Sequence, residues 1–535
     1  MADLREITPE TPSGEAGSGR RRRGGGRAGN ARRASSGLPA QAPWGQYAWS
    51  DAPVEPIDEE GVAAIDEAAM RILEEIGIDF LHDDALQRLK AAGCDVRAGS
   101  ARVRMDRALV RHYAAMAPET FTITPRNPER QITLGGRHAA FVNVSSPPAC
   151  RDLDRGRRPG DMASFRDLVK LSQHFNVIQV LGGYPVEPVD VHASVRHLHC
   201  LRDKLTLSDK VMHCYALGRE RVEDAMEMVR LAGGLSHEAF AACPRVYTNI
   251  NSTSPLKHDW PMLDGAMRLA ERGQPTIITP FTLAGATSPI TLAGSVAQAT
   301  AEALACVVLL QIVRPGTPVG YGSFTNNADM RSGAPAFGTP EYVRATQISG
   351  QMARHYKLPF RASNACASKI PDTQAMWESM NSMWTCMTSH VNLVYHSAGW
   401  LEAGLCASYE KLVIDCEVLQ QFAAMQRPVD TSAEALAVDA IAEVDAMPET
   451  SRHFFAPQHT RDRFETEFYQ PFLSDWRDVG AWEEGGSQSA EQRANAVWKA
   501  VLNEFEAPPM DPGHREALDD FVERRIREGG APTDF

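Results

Sequence analysis

The sequence predicts an α/β protein whose central part is a (β/α)8 TIM barrel, with a helical N-terminal region before it and a helical C-terminal extension after it. From residue 138 onward, eight short apolar segments alternate with eight longer helical segments, at about 30–40 residues per repeat. This rhythm is typical of parallel βαβ crossovers, and eight repeats are the number that closes a barrel. A doubly wound open sheet is the alternative, but neither a GxGxxG motif nor a P-loop follows the first strand.

The individual elements follow from apolar runs and from apolar residues at helical spacing. Strands are predicted near 138–144, 177–183, 211–215, 245–250, 275–280, 318–323, 359–364 and 391–396. Helices are predicted near 161–174, 192–206, 219–233, 260–272, 291–313, 340–356, 373–389 and 402–426. We therefore divide the chain into an Arg/Gly-rich tail at 1–40 that we expect to be disordered, a helical N-terminal region at 55–135, a catalytic barrel at 136–430 and a helical extension at 431–535.

Charge is distributed unevenly along the 535 residues. The net charge of the chain is −13. The first forty residues carry +4, so the remaining residues carry −17. An acidic body argues against nucleic acid as a partner, and no run of about 18 apolar residues is present to predict a membrane span. The arginines at 20–23 lack the apolar stretch of an export signal, and ten scattered cysteines suit a reducing compartment. We therefore expect a cytoplasmic protein.

The cysteines and histidines do not form a recognisable metal site, since no two cysteines have CxxC spacing. His197, His199 and Cys200 lie close together in sequence. Residues two apart in a helix point to different faces, however, and zinc sites favour i,i+4 pairs or CxxC spacing. We expect no metal, with this cluster as the alternative.

The carboxyl ends of the predicted strands carry amides, hydroxyls and aromatic rings, and few charges. Barrel active sites are built at these ends. Aromatic rings attract a compact organic cation through cation–π contacts, whereas this set of residues suits neither a phosphate nor a metal. The alternative for each tyrosine is a packing role with a hydrogen-bonded hydroxyl. The candidate substrate-binding residues are Tyr184, Tyr215, Asn249, Asn251, Phe281, Tyr321, Asn364 and Trp400.

The segment HSAGWLEAGLCASYEKLVIDCE begins at His396, the end of the predicted eighth strand. We take His396 as the catalytic residue, facing the barrel mouth, because functional residues concentrate at strand ends. Strand alternation then turns Tyr395 toward the surrounding helices as a packing residue. Glu402 is predicted near the start of the next helix, and Glu410 and Lys411 are predicted to be solvated. No GxSxG elbow occurs, which disfavours a serine hydrolase.

Several stretches together resemble the trimethylamine:corrinoid methyltransferase family. They are NACASKIPD, YHSAGWLEAGL, SYEKLVIDCE, HFFAPQHTRDRFETEFYQPFLSDW and GTPVGYGSFTNNADMRSGAPAFGTPE, and the likeness covers about residues 55 to 510. The resemblance implies a TIM barrel whose mouth binds a methylated amine. It also implies that a separate corrinoid-binding protein docks over the mouth and takes the methyl group, so that this chain itself binds no cofactor tightly.

One stretch departs from the trimethylamine-specific members of that family. Those members carry pyrrolysine near the end of the seventh barrel strand, where this chain has standard residues, at about Ser363 to Ser368. The chain therefore resembles the branch without pyrrolysine, which is similar to glycine betaine methyltransferases. A quaternary ammonium leaves as a neutral tertiary amine, so such an enzyme needs only to position the cation and exclude water.

The resemblance thus implies a corrinoid-dependent methyltransferase acting on a betaine-like quaternary amine. The alternatives are a methyltransferase for another onium compound, such as a sulfonium, or for trimethylamine. A non-catalytic barrel that binds methylated amines is a third possibility. We also expect a homo-oligomer that binds neither nucleic acid nor a membrane.

Overall fold

The computed structural model describes residues 38–533 and has a mixed α/β fold centred on eight parallel strands. The strands are β1 (His138–Asn143), β2 (Val180–Leu181), β3 (Val211–Met212), β4 (Thr248–Ile250), β5 (Thr276–Ile278), β6 (Val319–Gly322), β7 (Phe360–Ser363) and β8 (Leu393–Ala398). The main helices that follow them in turn are α1 (Met162–His174), α2 (Ala193–Leu207), α3 (Arg219–Ala232), α4 (Trp260–Glu271), α5 (Leu292–Val313), α6 (Pro340–His355), α7 (Thr373–Thr388) and α8 (Tyr409–Met425). The predicted alternation of strands and helices is confirmed.

The order of the strands in space follows their order in the chain. The sheet runs β3-β2-β1-β8-β7-β6-β5-β4, and β1 lies beside β8 through the pairing of Ala140 with Leu393. The two outer strands, β3 and β4, approach each other at a parallel bridge between His213 and Tyr247. There the Cys214 amide donates to the Tyr247 carbonyl over 2.9 Å. Neighbouring strands follow one another in the same order in a (β/α)8 barrel.

Apolar side chains on the face of the sheet that points away from the helices form a separate cluster, here called the inner cluster. From the eight strands and the segments next to them it contains Ala140, Val142, Val180, Val211, Tyr247, Ile277, Leu393 and Tyr395. The larger core lies between the strands and the helices. A hairpin of Phe121–Ile123 and Ile132–Leu134 contributes to this inner cluster and leads directly into β1. The hairpin therefore fills the sheet interior at the end where the strands begin. The opposite end, where the strands finish, is left for a cavity.

The N-terminal region contains more strand than its predicted helical character implies. Its helices are Glu59–Arg71, Ile72–Ile76, Asp83–Ala91 and Arg107–Ala114, and its short strands Ile78–Phe80, Asp95–Val96 and Arg102–Arg104 form a small sheet with Lys257–His258. Ile78 and Phe80 are buried on either side of half-buried Asp79, which is the period-two pattern of a strand. Such three-residue strands are easily overlooked beside longer helical patterns.

The C-terminal region contains helices of two kinds. Helix Ala490–Asn503 packs against α8 and α1, and helix Pro512–Arg527 packs against α2 and α3. Between α8 and these helices, the α-helices are only four to eight residues long: Ala433–Leu436, Val438–Asp445, Gln458–Arg463 and Val479–Glu484. Phe455, Phe468 and Trp476 in this stretch are largely exposed.

Two further predictions concern the tail and the membrane. Residues 1–37 of the predicted disordered tail lie outside the described residues, and Leu38 already packs against the core. Within the described part of the chain, α5 has the length and apolar composition of a membrane span. However, 89% of its most apolar 18-residue stretch is buried inside the protein. Because it packs against helices Glu59–Arg71 and Arg107–Ala114, α5 is a core helix of this fold.

Candidate functional site

A cavity of about 390 Å³ opens at the carboxyl ends of the strands. Every strand except β5 places residues on its wall, either from the strand itself or from the loop that follows. The lining residues are Ser145, Ser146, Gly183, His213, Tyr215, Ala216, Leu217, Asn249, Asn251, Met262, Phe324, Arg361, Tyr395, His396, Trp400, Ala403 and Gly404. Among these residues there is one permanently charged side chain, that of Arg361.

Tyr215 is held in the wall by the glycines that follow β2. A Cβ on Gly183 would lie 2.0 Å from the Tyr215 hydroxyl, so only glycine permits this approach. The hydroxyl accepts a hydrogen bond from the Tyr184 amide over 3.0 Å and lies 2.5 Å from the Ser146 hydroxyl. Burial raises the pKa of Tyr215 to about 12, so the phenol stays protonated at neutral pH.

Strand β8 brings two successive residues, Tyr395 and His396, to the same cavity. Tyr395 belongs to the inner cluster and Val394 to the helix-side core, as alternation demands. His396 should then face outward, but its φ of +54° and a register shift against β1 turn it back toward the mouth. The prediction that Tyr395 packs against the surrounding helices is therefore wrong, because a backbone irregularity breaks the alternation.

His396 is neutral and has a defined tautomer. Its Nδ1 accepts a hydrogen bond from the Ser145 amide over 3.2 Å, so the proton is on Nε2. Burial holds the pKa of the imidazole well below its usual range, and the positive charge of Arg361 lowers it further. The ring centroid lies 4.0 Å from that of Trp400. This side of the cavity thus offers uncharged, polarisable surface and one imidazole N–H donor.

Arg361 was missed at the sequence level. It comes from β7, is only 4% exposed, and lies with its Cζ 4.4 Å from the ring centroid of Tyr395 and 5.5 Å from that of Phe324. Within residues 38–533, neither its Nε nor its Nη1 has a hydrogen-bond partner, and no carboxylate forms an ion pair with it. Burial lowers the pKa of the guanidinium, yet an arginine remains charged at neutral pH. An arginine inside the predicted strand PFRASN is the signal that could have identified it, because charged residues are rarely buried without a reason.

Tyr395 and His213 line the cavity, and Tyr247 lies behind them in contact with both rings. The hydroxyls of Tyr247 and Tyr395 lie 2.8 Å apart, and the His213 ring is 5.4 Å from that of Tyr247. Burial holds the pKa of His213 well below its usual range, so this ring is also neutral. Its Nδ1 has no hydrogen-bond partner among the described residues.

Four of the eight predicted binding residues line the cavity: Tyr215, Asn249, Asn251 and Trp400. The two asparagines are fixed through Thr279, whose hydroxyl donates to Asn249 Oδ1 over 2.7 Å and whose carbonyl accepts from Asn251 Nδ2 over 2.8 Å. Trp400 is fixed by its indole N–H, which donates to the Cys366 carbonyl over 3.1 Å. The structure therefore brings these side chains together with His396.

The other four predicted binding residues lie outside this lining. Tyr321 points to the helix layer, where its hydroxyl lies 3.0 Å from that of Thr300 in α5, because the inward positions of β6 are glycines. Asn364 donates to the Ser397 carbonyl over 3.2 Å. Phe281 stands behind Phe324 at 5.3 Å between ring centroids. Tyr184 touches the ring of Tyr215 at 4.7 Å from the side of a neighbouring cavity.

The predicted surface role of Glu410 and Lys411 is wrong, since both are buried in α8. The Oε1 atom of Glu410 accepts from the indole of Trp498 over 2.8 Å, and Lys411 pairs with Asp415. Glu410 finds its partner on a distant helix and Lys411 finds its partner one helical turn further along α8. Such partners are necessary because a buried charge is costly unless it is paired or hydrogen-bonded. Glu402 precedes α8 in a short 3-10 turn, so it does not share a helix with Glu410.

The alternative metal cluster does not assemble. The Nε2 atom of His197 lies 2.9 Å from Asp224, which also pairs with Arg525. Across residues 38–533, no three His, Cys, Asp or Glu side chains are grouped as metal ligands would be. The prediction that the protein needs no metal stays a prediction.

Comparison with known proteins identifies relatives over nearly the whole chain. A family model described as "Trimethylamine methyltransferase (MTTB)" matches residues 22–530. Glycine betaine methyltransferase of Desulfitobacterium hafniense (strain Y51) is 35% identical, covering 89% of this chain and 98% of that protein. Proline betaine:corrinoid methyltransferase of Eubacterium limosum is 30% identical, covering 69% and 77%. Trimethylamine methyltransferase MttB of D. hafniense (strain DSM 10664 / DCB-2) is 27% identical, covering 88% and 94%.

Proposed function

Because this chain belongs to the trimethylamine methyltransferase family and is a methyltransferase, we propose that it moves a methyl group from a betaine-like quaternary amine to the Co(I) of a corrinoid. A separate corrinoid-binding protein carries that acceptor and docks over the cavity mouth. The observation that carries the proposal is the cavity itself: aromatic rings and neutral hydrogen-bonding groups make up most of its wall, Arg361 is the one permanent charge, and none of its described lining residues is an acid.

The chemistry of the leaving group explains why such a lining suffices. The Co(I) electron pair forms a bond to the methyl carbon, the C–N bond breaks, and its electron pair stays on nitrogen as a neutral tertiary amine. No proton has to be supplied. The task of the protein is then to place the methyl carbon in line with cobalt and to exclude water.

The residues on the wall suit the cationic end of such a donor. The rings of Trp400, Phe324 and Tyr215 line the cavity, and cation–π attraction favours a quaternary ammonium over the face of such a ring. His396 is neutral and therefore adds no repulsion. Trimethylamine lacks a comparable leaving group unless it is protonated or bound covalently, and residues 363–368 are all standard amino acids.

The wider setting is part of the same proposal. We take the eight parallel strands to work as a closed (β/α)8 barrel in the cytoplasm. The exposed rings of Phe455, Phe468 and Trp476 support a homo-oligomer, since large apolar side chains in contact with water favour association. The corrinoid is a substrate delivered by the partner protein and is not held by this chain.

Methyl transfer to free Co(I) cobalamin tests the function directly. Glycine betaine should give the absorbance of methylcobalamin, whereas trimethylamine should give none above the rate without enzyme. Turnover of trimethylamine would refute the leaving-group argument. Affinity for quaternary amines without any transfer would instead identify a binding protein.

A further inference from the structure

We propose that Arg361 binds a carboxylate on the methyl donor, so that this enzyme accepts carboxylated quaternary amines and rejects those without a carboxylate. The inference rests on the proposed function and names the substrate class of the same cavity. Arg361 is then a specificity-determining residue, and the donor enters as a zwitterion.

The first support is that Arg361 is a buried charge for which residues 38–533 provide no anionic partner. Burying an ion is costly unless an opposite charge or hydrogen bonds compensate. The rings of Tyr395 and Phe324 offset part of that cost, but Nε and Nη1 remain without partners among residues 38–533. A guanidinium presents its donors in a planar fork that matches a carboxylate.

The second support is the charge balance of the lining. Both histidines of the cavity are neutral, and within the described lining Arg361 has no acidic neighbour. A simple quaternary cation would gain the aromatic wall, but it would bring a like charge near Arg361 and no anion to compensate it. A betaine brings a carboxylate for Arg361 and an ammonium for the aromatic wall, so both of its charges are compensated.

The position of Arg361 also sets the direction of binding. Arg361 pairs in register with Leu393, three residues before His396 in the neighbouring strand. Its side chain therefore starts deeper in the sheet than the residues at the mouth, since a strand rises about 3.3 Å per residue. A carboxylate held there leaves the N-methyl groups on the side of Trp400 and the open mouth, from which a corrinoid has to approach.

The test compares three donors that differ in their anionic group: glycine betaine, choline and tetramethylammonium. With Co(I) cobalamin as acceptor, the wild-type protein should use glycine betaine at least about 100-fold more efficiently, in kcat/KM, than either of the others. Arg361→Gln should lower kcat/KM for glycine betaine by about 100-fold, mainly by raising KM, so that the preference for glycine betaine over choline is largely lost. Arg361→Lys, which keeps the charge, should recover part of the loss with glycine betaine.

The matched control is the same Arg-to-Gln substitution at a position far from the cavity. Arg354 lies on the outside of α6, where it pairs with Glu55 over 2.9 Å, and Arg354→Gln should keep the wild-type preference. Equal use of choline and glycine betaine by the wild-type protein would overturn the inference. So would an equal loss for both donors in Arg361→Gln, which is the result of a purely structural role.

A failure of the proposed function has a different signature, namely no methyl transfer from any quaternary amine. Calorimetry then still decides the inference. Wild-type protein should bind glycine betaine and not choline, and Arg361→Gln should lose that binding. Glycine betaine binding that survives in Arg361→Gln contradicts the assignment whether or not the protein turns over.

Discussion

Lys411 in α8 and Arg361 in β7 are both buried cations, but their surroundings differ. The Lys411 ammonium pairs with Asp415 and lies 2.9 Å from the Ser379 hydroxyl. The second oxygen of Asp415 accepts from the Gly399 amide over 2.9 Å. Arg361 has aromatic faces around it and no such partner in the described part of the chain.

The difference separates a structural charge from one that is kept for a ligand. A buried ion pair with all its hydrogen bonds costs little to maintain and is strongly destabilising only when one partner is removed. A buried charge without a partner is tolerated where binding of a ligand supplies the compensation. Four substitutions or conditions sharpen this contrast.

The largest expected effect is the loss of thermal stability on substitution of Asp415. Asp415→Asn leaves the Lys411 ammonium buried without a counter-ion, which typically costs about 3–5 kcal/mol. We expect a clearly lower thermal midpoint by differential scanning calorimetry. Asp415→Asn combined with Lys411→Met, which removes both charges, should regain much of the loss. An unchanged midpoint in Asp415→Asn would mean that Lys411, like Arg361, does not need a counter-ion from the protein.

Arg361→Met should behave in the opposite way. Removal of an unpaired buried charge by an apolar side chain of similar length should not lower the midpoint of the free protein. The wild-type protein should gain about 2.7 kcal/mol of stability with glycine betaine at 100 times its Kd, and the variant should gain none. Thermal shift with and without the ligand measures both. A strong loss of stability in the free variant would place Arg361 in the same class as Lys411.

His396→Ala should lower the rate of methyl transfer at least about tenfold, or about 1.4 kcal/mol of transition-state stabilisation, with little change in thermal midpoint. Tyr395→Phe is the matched control in the same strand. It removes the hydrogen bond to Tyr247 and should cost about 1 kcal/mol of stability with a smaller effect on rate. A rate unaffected by His396→Ala would remove His396 from the site.

The smallest effect is expected from pH. Burial lowers the pKa of His396 in the folded protein, so below about pH 6.5 the unfolded chain binds more protons and stability falls as the solution is acidified. Stability should be complete above that pH, and His396→Gln should show a shallower acid slope. Because the leaving group needs no proton, kcat/KM with cobalamin should stay flat from about pH 7 to 8. A bell-shaped profile in that range would indicate acid–base catalysis.

The sequence by itself determined the repeating pattern of the sheet and much of its mouth. Apolar runs and helical spacing are local properties, so the eight strands and the helices after them were predictable. Tyr215, Asn249, Asn251, Trp400 and His396 were identified for the same reason, because each lies at or just beyond the carboxyl end of a predicted strand. The motifs around them also indicated the family.

Only the tertiary structure decided which way residues face and which charges are paired. Alternation assigned Tyr395 to the helices, but the positive φ of His396 and the register shift against β1 placed both residues in the cavity. Lys411 looked like a surface residue, and packing of α8 buried it beside Asp415. Arg361 became a candidate only once its neighbours were known to be rings and not carboxylates. Local pattern fixes where elements form, whereas burial and partners depend on segments that are distant in sequence.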